Sequence, residues 1–207
     1  MSSPIPLVPS ADTWVAAALA DLPTLLVDHA HCERKAAQTA LRFMAQHADW
    51  EALVMPLSRL AREELVHFER VLRELEHREL PFRSLAAANY AAGLMAALRP
   101  ISTPRTGPGT IRTWQGERTV DEMLVVALIE ARSHERFVRL AAATDDVRLK
   151  DLYEDLLAAE ERHGSLYLEL AEEAAGADVS ERLAVLSAHE AQVLARPDQP
   201  IRMHAGG

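Results

Sequence analysis

Apolar residues in this chain recur at steps of three and four, and four long stretches hold that period. Residues 22–47 put Leu22, Leu26, Ala36, Ala40 and Phe43 on one stripe. Residues 49–78 do so with Leu53, Leu57, Leu60 and Val71; Asp49 offers an N-cap, and Pro56 predicts a bend or a later effective start. Residues 119–143 carry Met123, Ala127, Phe137 and Ala141. Residues 146–175 carry Leu149, Tyr153, Leu156, Tyr167 and Leu170, and Gly176 supplies a C-cap. Shorter helices are expected over 12–21, 84–98 and 180–195, with an irregular Pro-rich start and an extended tail after Pro197. Residues 99–118 keep no period and are rich in Pro, Gly and Thr, so a long loop divides the four helices into two pairs.

Each long stripe is interrupted by acids and histidines at matching places. Glu64-Leu65-Val66-His67 follows Glu33 by 31 residues, and Glu160-Glu161-Arg162-His163 follows Glu130 by 30. Residues three apart share a helix face, so each motif projects a carboxylate and an imidazole in one direction. Antiparallel helices joined by a short turn bring residues equidistant from that turn to one height. Glu33 and Glu64 are centred on Ala48-Asp49, and Glu130 and Glu160 on Asp145, where the two breaks fall. Two helical hairpins with one long crossover resemble the ferritin-like four-helix bundle, whose di-metal sites use this ligand recipe. The expected class is therefore all-α, a ferritin-like bundle plus short extra helices. Glu33, Glu64, His67, Glu130, Glu160 and His163 are its candidate metal ligands and catalytic residues.

Other residues compete for these roles. Glu74-Leu75-Glu76-His77 is a third such motif, but Glu74 lies ~15 Å along the helix from Glu64 with no glutamate at its height. Glu74 and His77 are expected to be solvated near a helix end. Glu135 rivals Glu130, but it would sit ~7 Å out of height and about 140° round the helix. His29 and His134 lie one turn from Glu33 and Glu130, as outer partners or as histidines with local hydrogen bonds. Tyr153 and Tyr167 are expected in the core, and Cys32 as a buried structural thiol. Hard oxygen ligands with one imidazole per metal suit iron or manganese, and redox chemistry favours iron.

Composition narrows the picture. The chain has 207 residues, which suits one domain over 1–207. Ala, Leu, Glu and Arg dominate, which favours helix. A net charge of −9 opposes broad non-specific binding of nucleic acid. Against that background the 99–118 loop is locally basic. Arg99, Arg105, Arg112 and Arg118 with Trp114 form a candidate substrate-binding set, able to contact phosphate and stack on a base. A single cysteine excludes an internal disulfide and a four-cysteine iron site. No apolar run reaches membrane-spanning length and no signal peptide is apparent, so a cytoplasmic protein is expected.

The segments His29-Ala-His-Cys-Glu33-Arg-Lys-Ala-Ala, Arg62-Glu-Glu-Leu-Val-His67-Phe, Ile129-Glu-Ala-Arg-Ser-His-Glu-Arg-Phe137 and Ala159-Glu-Glu-Arg-His163-Gly resemble the MiaE family. These are tRNA-(2-methylthio-N6-isopentenyladenosine) hydroxylases, and the resemblance spans both hairpins. It implies a di-iron monooxygenase that hydroxylates the isopentenyl side chain of a hypermodified adenosine in tRNA. The cosubstrate would be dioxygen. The chain carries no reductase motif, so electrons would come from a separate reductase or ferredoxin-type protein. A monomer or dimer is expected. Other proteins of the same architecture define the alternatives: a ferroxidase or peroxidase, a manganese catalase, or non-enzymatic iron handling.

Overall fold

The computed structural model describes residues 5–86, 88–100, 116–197 and 199–206. Its elements are α1 (Asp12–Ala20), α2 (Leu22–Gln46), α3 (Glu51–His77), α4 (Tyr90–Met95), α5 (Glu117–Ala143), α6 (Val147–Ala175) and α7 (Ser180–Leu194). Helices α2 and α3 form one antiparallel hairpin, and α5 and α6 the other. This is the ferritin-like bundle that the pattern predicts.

The ends of the long helices follow local chemistry. Asp21 caps α2 by accepting from the Thr24 amide, and Asp146 caps α6 by accepting from the Leu149 amide. Gly176 ends α6 in the left-handed region at φ 62°. Asp49 is not the cap of α3. That helix starts at Glu51 behind a buried Trp50, whose indole N–H donates to Glu173 of α6 at 2.7 Å. Pro56 sits inside α3 rather than at its start.

Two expectations fail at the margins. The helix predicted over 84–98 shrinks to α4, because an Ala-rich stretch offers too little apolar surface to hold a longer one. The tail is not extended. It folds back through an isolated bridge between Arg202 and Ala205, and Met203, His204 and Ala205 are buried. Arg136 of α5 causes this, its buried guanidinium donating to the carbonyls of Arg202, Met203, Ala205 and Gly206.

The two hairpins meet unevenly. Helix α3 packs against α6, whereas among the described residues α2 and α5 make no close backbone approach. The core is also divided along the bundle. Phe43, Leu53, Leu57, Met123 and Leu170 fill one end. Trp14, Leu26, Leu75, Phe137 and Leu156 fill the other. A polar layer lies between them, open on the α2–α5 side.

Candidate metal centre

That layer is the set of six. Glu33 comes from α2, Glu64 and His67 from α3, Glu130 from α5, and Glu160 and His163 from α6, none more than 7% exposed. Glu33, Glu64, His67 and Glu160 offer ligand atoms within 4.8 Å of one another, and so do Glu64, Glu130, Glu160 and His163. Glu64 and Glu160 belong to both groups. His163 Nδ1 lies 2.7 Å from Glu64 Oε1, and His67 Nδ1 lies 3.6 Å from Glu33 Oε2. Among the described residues, both Glu64 oxygens, Glu160 Oε1 and the two Nδ1 atoms nevertheless lack a hydrogen-bond partner. Buried polar atoms are seldom left so. Atoms a few ångströms apart that all point at one another but do not bond are arranged for a cation between them. The donor set fits two divalent metal ions, whose charge four carboxylates would balance.

The electrostatics agree in direction. Burial pushes the Glu64, Glu160 and Glu130 carboxyls up, and for Glu64 and Glu160 the neighbouring carboxylates add to it. Glu33 goes the other way. Burial pushes it up, but the hydrogen bond and charge of His29, then the hydrogen bond of His67, outweigh that. For His67 the burial penalty is overcome by Glu33 and Glu64, and it is raised to about 9.

The surroundings sort the rival residues. His29 is fully buried, bonds Glu33 through Nε2 at 2.6 Å, and packs on Phe137 and Tyr153. Glu135 faces away from the centre, bonded by Ser10 and Arg132. Glu74 corrects the expectation of a solvated residue. It is buried and paired with Arg78 at 2.7 Å and Arg148 at 3.0 Å, because the start of α6 lands beside the end of α3. His77 is exposed as expected. Tyr153 and Tyr167 are core residues with unpartnered hydroxyls. Cys32 is half-buried rather than buried, with Sγ 3.5 Å from His204 Nδ1.

Arg99 and Arg118 make contacts within the chain. Arg99 donates to Asp121 and to the Glu117 carbonyl, and Arg118 to Glu122 and the Arg99 carbonyl. Arg105, Arg112 and Trp114 lie outside the described residues.

Sequence reasoning missed several residues. Glu63 Oε2 accepts a hydrogen bond from His163 Nε2 at 2.9 Å, leaving Nδ1 facing the centre. Arg132 and Arg136 are fully buried, the first held by Glu190 and the second against the tail and over the Trp14 ring. The available signal was α5 itself, apolar on nearly every face around Val125, Val126 and Leu128, so that its arginines had to find buried partners.

A cavity of about 690 Å³ opens between α2, α5, the segment before α4 and the tail. Glu33, Glu64, Glu130 and Glu160 line its inner end. Leu85, Ala88, Ala91, Val126 and Ile129 supply apolar wall, and Arg34, Lys35, Arg42 and Arg202 supply cationic wall.

The comparisons agree with this geometry. Residues 5–205 match the family model described as tRNA-(MS[2]IO[6]A)-hydroxylase (MiaE). A Pseudomonas putida protein named tRNA 2-(methylsulfanyl)-N(6)-isopentenyladenosine(37) hydroxylase is 41% identical, over 96% of this chain and 90% of its own. A Salmonella typhimurium protein of the same name is 30% identical, over 96% and 86%. A solved structure titled "Protein 43 with aldehyde deformylating oxygenase activity from Synechococcus" superposes with a TM-score of 0.82 at 40% identity, covering 96% of this chain and 94% of that one. Near-complete coverage by sequence and by structure leaves one assignment: the chain belongs to the MiaE family.

Proposed function

We propose that this chain is an iron-dependent hydroxylase of the isopentenyl side chain of 2-methylthio-N6-isopentenyladenosine in tRNA. The names carried by its relatives and its family support that substrate. The cavity is the observation that carries the reading. One space leads from cations, past apolar wall, to the carboxylates of the centre. It suits a substrate that is anionic outside, flat in the middle and hydrocarbon at its reacting end.

Glu33, Glu64, His67, Glu130, Glu160 and His163 would hold two iron ions, Glu64 and Glu160 belonging to both ligand groups. When bound and reduced, iron there would supply dioxygen activation for insertion into a C–H bond. The balance is one C–H bond, one dioxygen, two electrons and two protons, giving one C–OH and one water. The chain's own side chains do the rest. Leu85, Ala88, Val126 and Ile129 would seat the hydrocarbon and exclude water from the reacting carbon. Glu63 would keep His163 turned so that Nδ1 faces the metal. Protons held on the buried carboxyls would leave as metal enters, so metal uptake should strengthen as pH rises. Electrons would come from a separate reductase or ferredoxin-type protein. Among the described residues no helix is long and apolar enough to cross a membrane, and we place the enzyme in the cytoplasm as a monomer or dimer.

The Synechococcus likeness favours a second reading, an oxygenase acting on an aldehyde in the same cavity. One experiment separates the two. Iron-loaded protein, a reducing system and labelled dioxygen are offered the modified tRNA or an aldehyde. The first reading predicts a nucleoside heavier by one labelled oxygen atom and no formate. Formate without nucleoside oxidation would reverse the assignment.

A further inference from the structure

Charge around the cavity is sorted by depth. Its acids, Glu33, Glu64, Glu130, Glu160 and Asp28, are all buried. The cations of α2 are not. Between Glu33 and the end of α2 at Gln46 there is no acidic residue, but Arg34, Lys35 and Arg42 all fall there and all line the cavity. Lys35 and Arg42 are exposed and Arg34 half-exposed. Arg202 of the folded-back tail also lines the cavity, but its side chain is only 12% exposed and faces Asp28 at 3.8 Å. On a chain of net charge −9, the α2 cations form a concentrated positive edge on a cavity whose lining includes the carboxylates of the centre.

Arg34 and Arg42 can change partners cheaply. Among the described residues Arg34 is held only by a neutral amide, donating to Gln38 at 3.0 Å. Arg42 pairs with Glu122 at 3.1 Å, but its side chain is 42% exposed, where an ion pair contributes little. The contrast is with Arg99, which spends its backbone N–H and its guanidinium on the buried carboxylate of Asp121. Arg34 and Arg42 are eight residues apart, or ~12 Å along the helix, which spans more than one phosphate. Beside them, the exposed ring of Phe82 lies 4.6 Å from the ring of His31, itself on the cavity wall. An exposed aromatic next to a cationic track is the pairing that single-stranded RNA-binding surfaces use.

We infer that the outer edge of α2 is the RNA-docking surface, with Arg34, Lys35 and Arg42 on phosphates and Phe82 stacked on an unpaired base next to the one that enters the cavity. This rests on the tRNA reading above and moves the docking site from the 99–118 segment to α2. The charge gradient then assists entry. Phosphates stay at the rim, and the neutral base and its hydrocarbon tail go inward, where a phosphate would meet carboxylates.

The test is a salt titration of affinity for a synthetic anticodon stem-loop RNA, using metal-loaded full-length protein. An Arg34→Gln, Lys35→Gln, Arg42→Gln variant should bind more than tenfold more weakly near 0.15 M salt. Its log Kd against log salt slope should fall by about 2, at about 0.7 per phosphate contact. Arg34→Gln and Arg42→Gln alone should each lower the slope by about 0.7, so the inference stays testable if the triple variant folds poorly. Phe82→Ala should weaken binding several-fold with the slope unchanged, since stacking releases no counterions. A control triple, Arg59→Gln, Arg62→Gln, Arg162→Gln, on exposed positions of α3 and α6, should match wild type. If the α2 variants bind as wild type does with the same slope, the docking surface is elsewhere while the tRNA reading stands. If wild type itself does not bind the RNA, the tRNA reading falls and the docking surface with it.

Discussion

Buried acids in this protein are treated in two ways. Away from the centre, each is answered by arginine. Glu190 takes Arg132 at 2.9 Å and the Tyr90 hydroxyl. Asp121 takes Arg99 and Arg182, and Glu74 takes Arg78 and Arg148. Within the centre, Glu64, Glu130 and Glu160 form no salt bridge with an arginine or lysine among the described residues, and two of them keep unpartnered oxygens. The fold therefore has the means to neutralise a buried carboxylate and withholds them at one layer. A missing cation confined to that layer is the physical signature of a metal site.

The comparison can be broken residue by residue. The sharpest contrast between two rival ligands on one helix should come from Glu130. Glu130→Ala should lose one metal ion and turnover, whereas Glu135→Ala, whose carboxylate serves Ser10 and Arg132, should keep both. Metal analysis of the two purified variants checks this, and the reverse result would move the helix-α5 ligand by more than a turn. The opposite pattern should hold at Glu190. Glu190→Gln leaves the fully buried Arg132 with only the partly exposed Glu135 as a carboxylate partner and should cost about 3 kcal/mol in denaturant unfolding, with metal content intact.

Asp121 gives the smallest effect and a pH signature. Burial pushes its carboxyl up, but hydrogen bonds from Arg182 and Arg99 hold it below the ordinary value. A depressed carboxylate contributes fully above its unfolded pKa, near 3.9, and the contribution fades as pH falls toward the folded value. Asp121→Asn should therefore cost about 2 kcal/mol at pH 7, less below pH about 4, measured as the gap between wild-type and variant unfolding curves. A gap that persists in acid would mean that the clamp acts through packing rather than charge.

The centre was more legible in the sequence than its surroundings, for a physical reason. Level-matching across a short turn needs only helix geometry, and Glu33, Glu64, Glu130 and Glu160 obey it. Glu74 defeated the same reasoning because its partner Arg148 arrives from another hairpin, which no spacing within α3 encodes. The folded-back tail was hidden likewise, since it depends on Arg136 meeting carbonyls some seventy residues away. The cavity depends on the unequal approach of the hairpins, which the stripes do not specify. The cations of α2 were visible as letters. Their alignment along a cavity mouth was not, because it depends on which face of α2 the hairpins leave open.

The central claim is that the unpartnered carboxylates are partnered by metal. Its most direct measurement is the number of iron ions bound per chain by anaerobic titration, for wild type, Glu64→Ala and Glu160→Ala, with helical circular dichroism recorded on each. Wild type should take two, and each variant should fall close to none while keeping its helix signal, because both residues belong to both ligand groups. Two ions retained in either variant, or none in wild type, would contradict the account.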